Sequence, residues 1–243
     1  MKIKVDTHTH SIASIHAYST IDELAKSARK AGLAGFVITE HGPALQGAPH
    51  RYYFGNLKVL PRRLCGVYLF HGAEINILDT AGNVDLSAAE LSALHFCMAG
   101  LHEGCFSPHS KEENTEAIIN ALKNPYVDAI SHPANPAFPV DYEAIAGTAA
   151  GLGKALEINN SSFRVRQGSA ETCPVLAEWC AKKNTPVCIG SDAHYRGDVG
   201  KFDRALPVAL SAGIKPERII NRTLPAFVEF IEARHSAHNR DSN

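Results

Sequence analysis

The sequence predicts an α/β protein folded as a single closed or nearly closed barrel, on three observations. Short β-branched, apolar runs alternate with segments of helical period along the chain. No linker, repeat or low-complexity stretch interrupts them, and the residues able to do chemistry fall at the C-terminal ends of the runs. An open doubly wound sheet would also alternate in this way. Polar residues gathered at strand ends favour the barrel, whose reactive face is built from those ends. A length of 243 residues, with 45% hydrophobic and 20% charged residues, suits one such unit.

The first run, KIKVDTH (2–8), precedes a helix in STIDELAKSARKAGL, where Thr20 and Glu23 have capping-box spacing and Gly32 ends the periodicity. GFVITEH (35–41) and VYLFHGAEI (67–75) are the second and third strands. Between them, residues 42–63 are rich in Gly, Pro and aromatics and read as an irregular loop that walls a site. ALHFCMAG (93–100) is the fourth strand, and Ser110 with Glu113 caps the helix that follows. VDAISH (127–132), ALEINN (155–160) and PVCIGSD (186–192) complete seven strands, with further helices over 141–151, 170–184, 200–212 and 223–235. Runs this apolar suit strands covered on both faces in a parallel sheet. The barrel is assigned to residues 1–235 and a polar tail to 236–243, with His235 and His238 exposed at this end.

A net charge of −1 without a basic stripe argues against a dedicated polynucleotide binder. Six scattered cysteines without CxxC spacing read as buried free thiols in a reducing compartment. No stretch resembles a signal peptide or a membrane span, so the expected address is the cytoplasm.

Histidine is the outlier, with 13 against two Met and one Trp. The first strand ends in His8 and His10, the second in His41, and the third carries Glu74. His102 follows the fourth strand, His132 ends the fifth, and Asp192 ends the seventh with His194 two residues on. Residues i and i+2 of a strand point the same way, about 6.5–7 Å apart, so both reach toward one ion. In a closed barrel the first and last strands are neighbours, which brings the His8/His10 and Asp192/His194 pairs together. His16 lies in the following loop, where it can fold back over the same mouth. Seven imidazoles and two carboxylates exceed the set one zinc takes, which implies a multinuclear centre. Imidazole with carboxylate suits zinc, and also iron or manganese. Several divalent ions held by only two carboxylates leave a positive cluster. Such a cluster fits a phosphate monoester dianion better than a neutral amide.

His50, His71, His95 and His109 lack this placement and read as structural. Asp6 and Glu40, beside candidate ligands, are in position to fix an imidazole's tautomer. Arg196 lies after the last strand, where barrels often bind phosphate, with Arg51 and Arg166 as further candidates for substrate. Tyr52, Tyr53, Phe54 and Phe163 suggest an apolar wall.

The ordered set DTHTH, ITEH, HGAEIN, LHEG, ISHP and GSDAH resembles the PHP (polymerase and histidinol phosphatase) superfamily over residues 1–235. ALEINNSSF and the length place the nearest resemblance with its YcdX-type zinc-dependent phosphatases. The resemblance implies a distorted (β/α)7 TIM-like barrel and a homotrimer. It also implies three zinc ions per chain, for which manganese or iron could substitute. His8, His10, Glu74 and Asp192 would take the first ion. Glu74 would bridge to a second on His102 and His132, and His16, His41 and His194 would take the third. The implied activity is hydrolysis of small phosphomonoesters by a hydroxide formed at neutral pH, with no separate catalytic residue.

Within the superfamily, a phosphodiesterase or exonuclease fits the neutral charge less well, and a histidinol-phosphate phosphatase differs only in substrate. A metal-dependent amidohydrolase would often use a bridging lysine from a middle strand, and the third to fifth strands contain none. A zinc store would close its coordination, whereas nine ligands spread over three ions leave positions open.

Overall fold

In the computed structural model, which describes residues 1–241 with side chains through Ala233, seven parallel strands form a nearly closed barrel ringed by helices. The strands are β1 (Val5–Asp6), β2 (Gly35–Ile38), β4 (Val67–Asn76), β5 (Phe96–Gly100), β6 (Ala129–Ile130), β7 (Ala155–Asn159) and β8 (Val187–Gly190), neighbours in that order. A short eighth strand, β3 (Arg63–Leu64), pairs antiparallel with β4 outside the barrel. The sequence does not announce it, because Arg63 and Leu64 lie in a Pro-rich loop. His235 and His238 lie outside the described side chains. No described helix is long and apolar enough to cross a membrane.

The capping boxes predicted at Thr20/Glu23 and Ser110/Glu113 start α1 (Ile21–Lys30) and α4 (Lys111–Lys123). A third box, Ser87 with Glu90, starts the short α3 (Ala88–Ser92), which sequence reasoning passed over. The loop over 42–63 is partly helical, with α2 at Tyr52–Asn56. The remaining helices are α5 (Tyr142–Leu152), α6 (Ser162–Val165), α7 (Ser169–Lys183), α8 (Ala205–Ser211) and α9 (Leu224–Asp241). Helix α8 begins five residues later than predicted. Its first turn is held from outside, with Asn160 Oδ1 accepting the N–H groups of Arg204 and Ala205, each at 2.9 Å.

Side-chain parity sorts the strands into layers. Leu69, Cys97, Leu156 and Ile189 face outward into the large core beneath the helices. Val37, Phe70, Phe96, Met98, Ala155 and Cys188 face inward and form an apolar floor. Helix α9 plugs that floor with Phe227, whose ring lies 5.0 Å from Phe70 and 5.4 Å from Phe96. Counting on by two from the floor gives Phe70, Gly72, Glu74 and Asn76 in β4, and Ala155, Glu157 and Asn159 in β7. The inward face therefore changes from apolar to polar toward the C-terminal mouth.

The seam differs from the expected neighbouring of first and last strands. Below, β1 and β8 are held apart by residues 219–221, with Ile219 bridged to Val187. Asn221 donates from Nδ2 to Val5 O and Ile189 O, both at 2.8 Å, and accepts from Ile189 N at 3.1 Å. Above, Thr9 meets Ala193 directly, and there the two ends of the chain converge as expected.

Candidate metal centre

The seam brings the HxH and DxH pairs together. His8 Nε2 lies 3.2 Å from Glu74 Oε2 and 3.5 Å from Asp192 Oδ1. His10 Nε2 lies 3.5 and 3.4 Å from the same two oxygens. Ligands about 2.0–2.1 Å from a tetrahedral ion stand roughly 3.3–3.4 Å from one another, so these four atoms have the spacing of a coordination shell. The other oxygen, Glu74 Oε1, lies 3.1 Å from His102 Nε2 and 2.7 Å from His132 Nε2, with the two nitrogens 3.3 Å apart. His16 and His194 oppose their Nε2 atoms at 2.8 Å, and His41 stacks on His16 with ring centroids 5.1 Å apart. His41 also turns Nδ1 to Glu74 Oε2 at 3.0 Å, linking this group to the rest. Five histidines thus surround one carboxylate within 3.5 Å.

The burial of these atoms tests their fitness for metal. His8 Nε2, both nitrogens of His10 and of His41, and Glu74 Oε2 are buried without a hydrogen-bond partner. Unmet polar atoms at this density cost several kcal/mol unless a cation collects their lone pairs. Three groups, His8/His10/Glu74, His10/His41/His194 and His41/Glu74/His102, each place ligand atoms within 4.8 Å of one another. The donors are imidazole and carboxylate, the set that suits zinc and its neighbours.

Titration reflects the same crowding. Burial pulls the His8 pKa down, but Glu157, Glu74 and Asp192 reverse this and hold it well above 6.5. His10 is held well below 6.5 by burial and by His194 and His41. His16 falls to about 4 through burial and the same two neighbouring imidazoles. His132 falls to about 4 through burial and Arg166. Burial raises Glu74, yet four surrounding imidazoles carry it well below 4.5.

The groups that orient these imidazoles are not the ones the sequence suggested. Asp6 closes the seam, accepting from Ser191 N at 3.0 Å and Gly200 N at 2.9 Å. Glu40 accepts from Ser11 and Ser14 and shapes the His16 loop. Glu157, in the middle of β7, instead accepts from His8 Nδ1 at 2.8 Å. For His102 the orienting partner is Asn76. Its amide donates to Asp85 Oδ2 at 2.6 Å and Gly42 O at 3.0 Å, so Oδ1 must face His102 Nδ1, at 2.7 Å. His102 therefore carries its proton on Nδ1 and presents a lone pair at Nε2. His132 and Asp192 both have left-handed backbones, with φ of 30° and 54°, strain of the kind that gathers at functional sites.

A cavity of about 420 Å³ opens above the cluster, lined by His16, His41, His102, Asp192, His194 and Arg166 among others. Arg166 places NH1 3.1 Å from Asp192 Oδ2 and 3.0 Å from Ser162 Oγ. The other two arginines are engaged elsewhere and do not line this cavity. Arg196 pairs with Glu23 at 3.0 Å, and Arg51 makes two 2.8 Å bonds to Glu90. The position of Arg196 after the last strand is suggestive, but salt bridges on the surface hold both. Phe163 lies in a neighbouring cavity, Tyr52 and Tyr53 line a separate groove, and Phe54 is buried in the core. His71 and His95 pack on each other with ring centroids 4.8 Å apart, while His50 and His109 are exposed.

Comparison with known proteins adds a family and relatives. The sequence model of the PHP domain matches residues 6–132. A protein of Acetivibrio thermocellus named "Probable phosphatase" is 47% identical over 234 residues, covering 96% of this chain and 97% of that one. Another with the same name, from Syntrophotalea carbinolica, is 46% identical, covering 95% of this chain and 97% of that protein. Among solved structures, histidinol phosphate phosphatase from Lactococcus lactis, in complex with zinc, L-histidinol and phosphate, superposes with a TM-score of 0.61. It is 16% identical and covers 88% of this chain and 95% of its own, a likeness of fold.

Proposed function

The chain belongs to the PHP domain family, and on that premise we propose that it is a metal-dependent phosphatase hydrolysing small-molecule phosphomonoesters at a trinuclear zinc centre. The observation that carries this reading is the set of buried, unpartnered nitrogen and oxygen atoms gathered around Glu74. His8, His10, Glu74 and Asp192 would hold one ion. His102 and His132 would hold a second, with Glu74 shared, and His16, His41 and His194 a third. When bound, such ions lower the pKa of a water toward neutrality and offset charge on phosphate oxygens.

The chain's own contribution is orientation and charge. Glu157 and Asn76 fix two imidazoles with their Nε2 lone pairs inward. Arg166 stands at the cavity wall with NH1 pinned by Asp192, so its planar fork is set before a phosphate arrives. Having only two carboxylates in the proposed ligand set leaves the loaded site cationic, which suits a dianionic monoester over a diester or an amide.

The test is phosphate release from a generic phosphomonoester, with metal-loaded and chelator-stripped protein and a diester run in parallel. Turnover of the monoester that disappears on stripping and returns with zinc is the expected result. Cleavage of the diester alone, or of neither by metal-loaded protein, would overturn the reading.

A further inference from the structure

A second cavity, of about 380 Å³, lies beside the one over the cluster, and the two share Ser161 and Arg164. It is formed by the segments after β7 and β8. Three cations face it, Arg164, Lys201 and Arg204, against two carboxylates, Asp198 and Asp203. Asp198 takes Arg164 at 3.1 Å and Lys201 at 2.7 Å. Asp203 accepts from Asn160 Nδ2 at 3.4 Å. Arg204 is different. Among the described residues it has no carboxylate within ion-pair distance, and its guanidinium lies 5.9 Å from the ring centroid of Phe163. Its backbone is fixed by the bond from its N–H to Asn160 Oδ1.

The cavity thus offers one aromatic ring, a guanidinium without a carboxylate partner and room for a small organic group. Ser161 and Arg164 line both cavities, so the space beside the cluster adjoins the one over it. Resting on the phosphatase reading, we propose that the cavity seats the leaving alcohol, and that Arg204 selects phosphomonoesters whose alcohol carries a second anionic group, a carboxylate or another phosphate. A guanidinium recognises either through paired N–H bonds, and an arginine with no carboxylate partner has no ion pair to break in doing so. An alcohol bearing an ammonium group meets like charge in the same place.

The experiment measures kcat/KM of the metal-loaded full chain on four phosphate esters of one three-carbon frame. They are 3-hydroxypropyl phosphate, 3-phosphonooxypropanoate, propane-1,3-diol bisphosphate and 3-aminopropyl phosphate. One or both acidic esters are expected to exceed the neutral one by about tenfold or more, with the amine lowest. The acid preferred identifies the anion as carboxylate or phosphate. In Arg204→Gln the acidic-to-neutral ratio falls toward one. In Arg204→Glu the order reverses in favour of the amine, a gain that a misfolded variant could not produce. Equal rates on the acidic and neutral esters in the native chain, or a ratio unmoved by Arg204→Gln, would overturn the assignment while leaving the phosphatase reading intact. Phosphate release from none of the four would overturn both.

Discussion

Glu157 holds His8 and His132 with one carboxylate. Its Oε1 accepts from His8 Nδ1 and its Oε2 from the backbone N–H of His132, both at 2.8 Å. It also accepts from Asn159 Nδ2 at 3.0 Å, and the same amide nitrogen contacts Asp192 Oδ2 at 3.2 Å. Three proposed ligands, each two residues beyond the end of a different strand, are therefore registered directly or through Asn159 by one residue that is not itself a proposed ligand.

Glu157→Gln is expected to lower metal affinity by about 10–100-fold while the fold is retained. Chelator competition reads the affinity and circular dichroism the fold. Unchanged affinity would mean that packing alone orients His8.

Gly190 gives Glu157 its room. A Cβ at this position would fall on Glu157 Oε1 and 2.7 Å from His8 Cβ. Gly190→Ala should weaken metal binding as Glu157→Gln does and cost about 1–3 kcal/mol of stability through overpacking. Because both changes act on one contact, the double variant should bind metal about as well as either single one. Additive losses in the same chelator assay would contradict this.

Arg166→Lys keeps the charge but loses the planar fork held by Asp192 and Ser162. The expected outcome is a KM for phosphomonoester raised about tenfold with metal content unchanged. Steady-state kinetics beside elemental analysis distinguishes this from loss of an ion.

The metal-free protein should lose stability as pH falls from about 6.5 to about 4. Across that window the folded chain holds fewer protons on His16 and His132 than the unfolded chain does, because both pKa values are drawn down from 6.5 to about 4. Their contribution is full above 6.5 and is lost as pH falls through 4. Asp6, raised by burial from 3.8 to about 6, and Glu40, also raised by burial, act in the opposite sense, whereas His10, His71 and His194, held down by burial, act with His16 and His132. Calorimetry of stripped protein should show Tm declining through the window, with a shallower decline in His132→Asn. A flat profile would contradict the assignment of those shifts.

Much of the centre was legible because strand periodicity and barrel topology act on residues that are odd in any core. The i, i+2 spacing of His8 with His10 and of Asp192 with His194, together with closure of a barrel, is enough to pair them across the seam. Glu157 carries a fainter signal, a carboxylate between Leu156 and Ile158 on the same parity as Ala155. Only the inward direction of that parity was needed to find it. Asn76 gave less, since its role depends on which way an amide is turned by Asp85 and Gly42. The left-handed backbones of His132 and Asp192 leave no mark in composition. Arg166 and Arg196 were separable only by their partners, which lie 26 and 173 residues away in sequence.

The seam has a consequence for how the molecule is born. β1 is completed by Asn221, 216 residues beyond Val5 in sequence, and the floor of the barrel is sealed by Phe227. Contacts this distant in sequence form late and slow the approach to the native state. His8 and His10 must wait, in a chain still growing, for Asp192 and His194 to be made. A nascent chain that stops short of His194 cannot bring the two pairs together, so the proposed metal centre would form only after that segment is made.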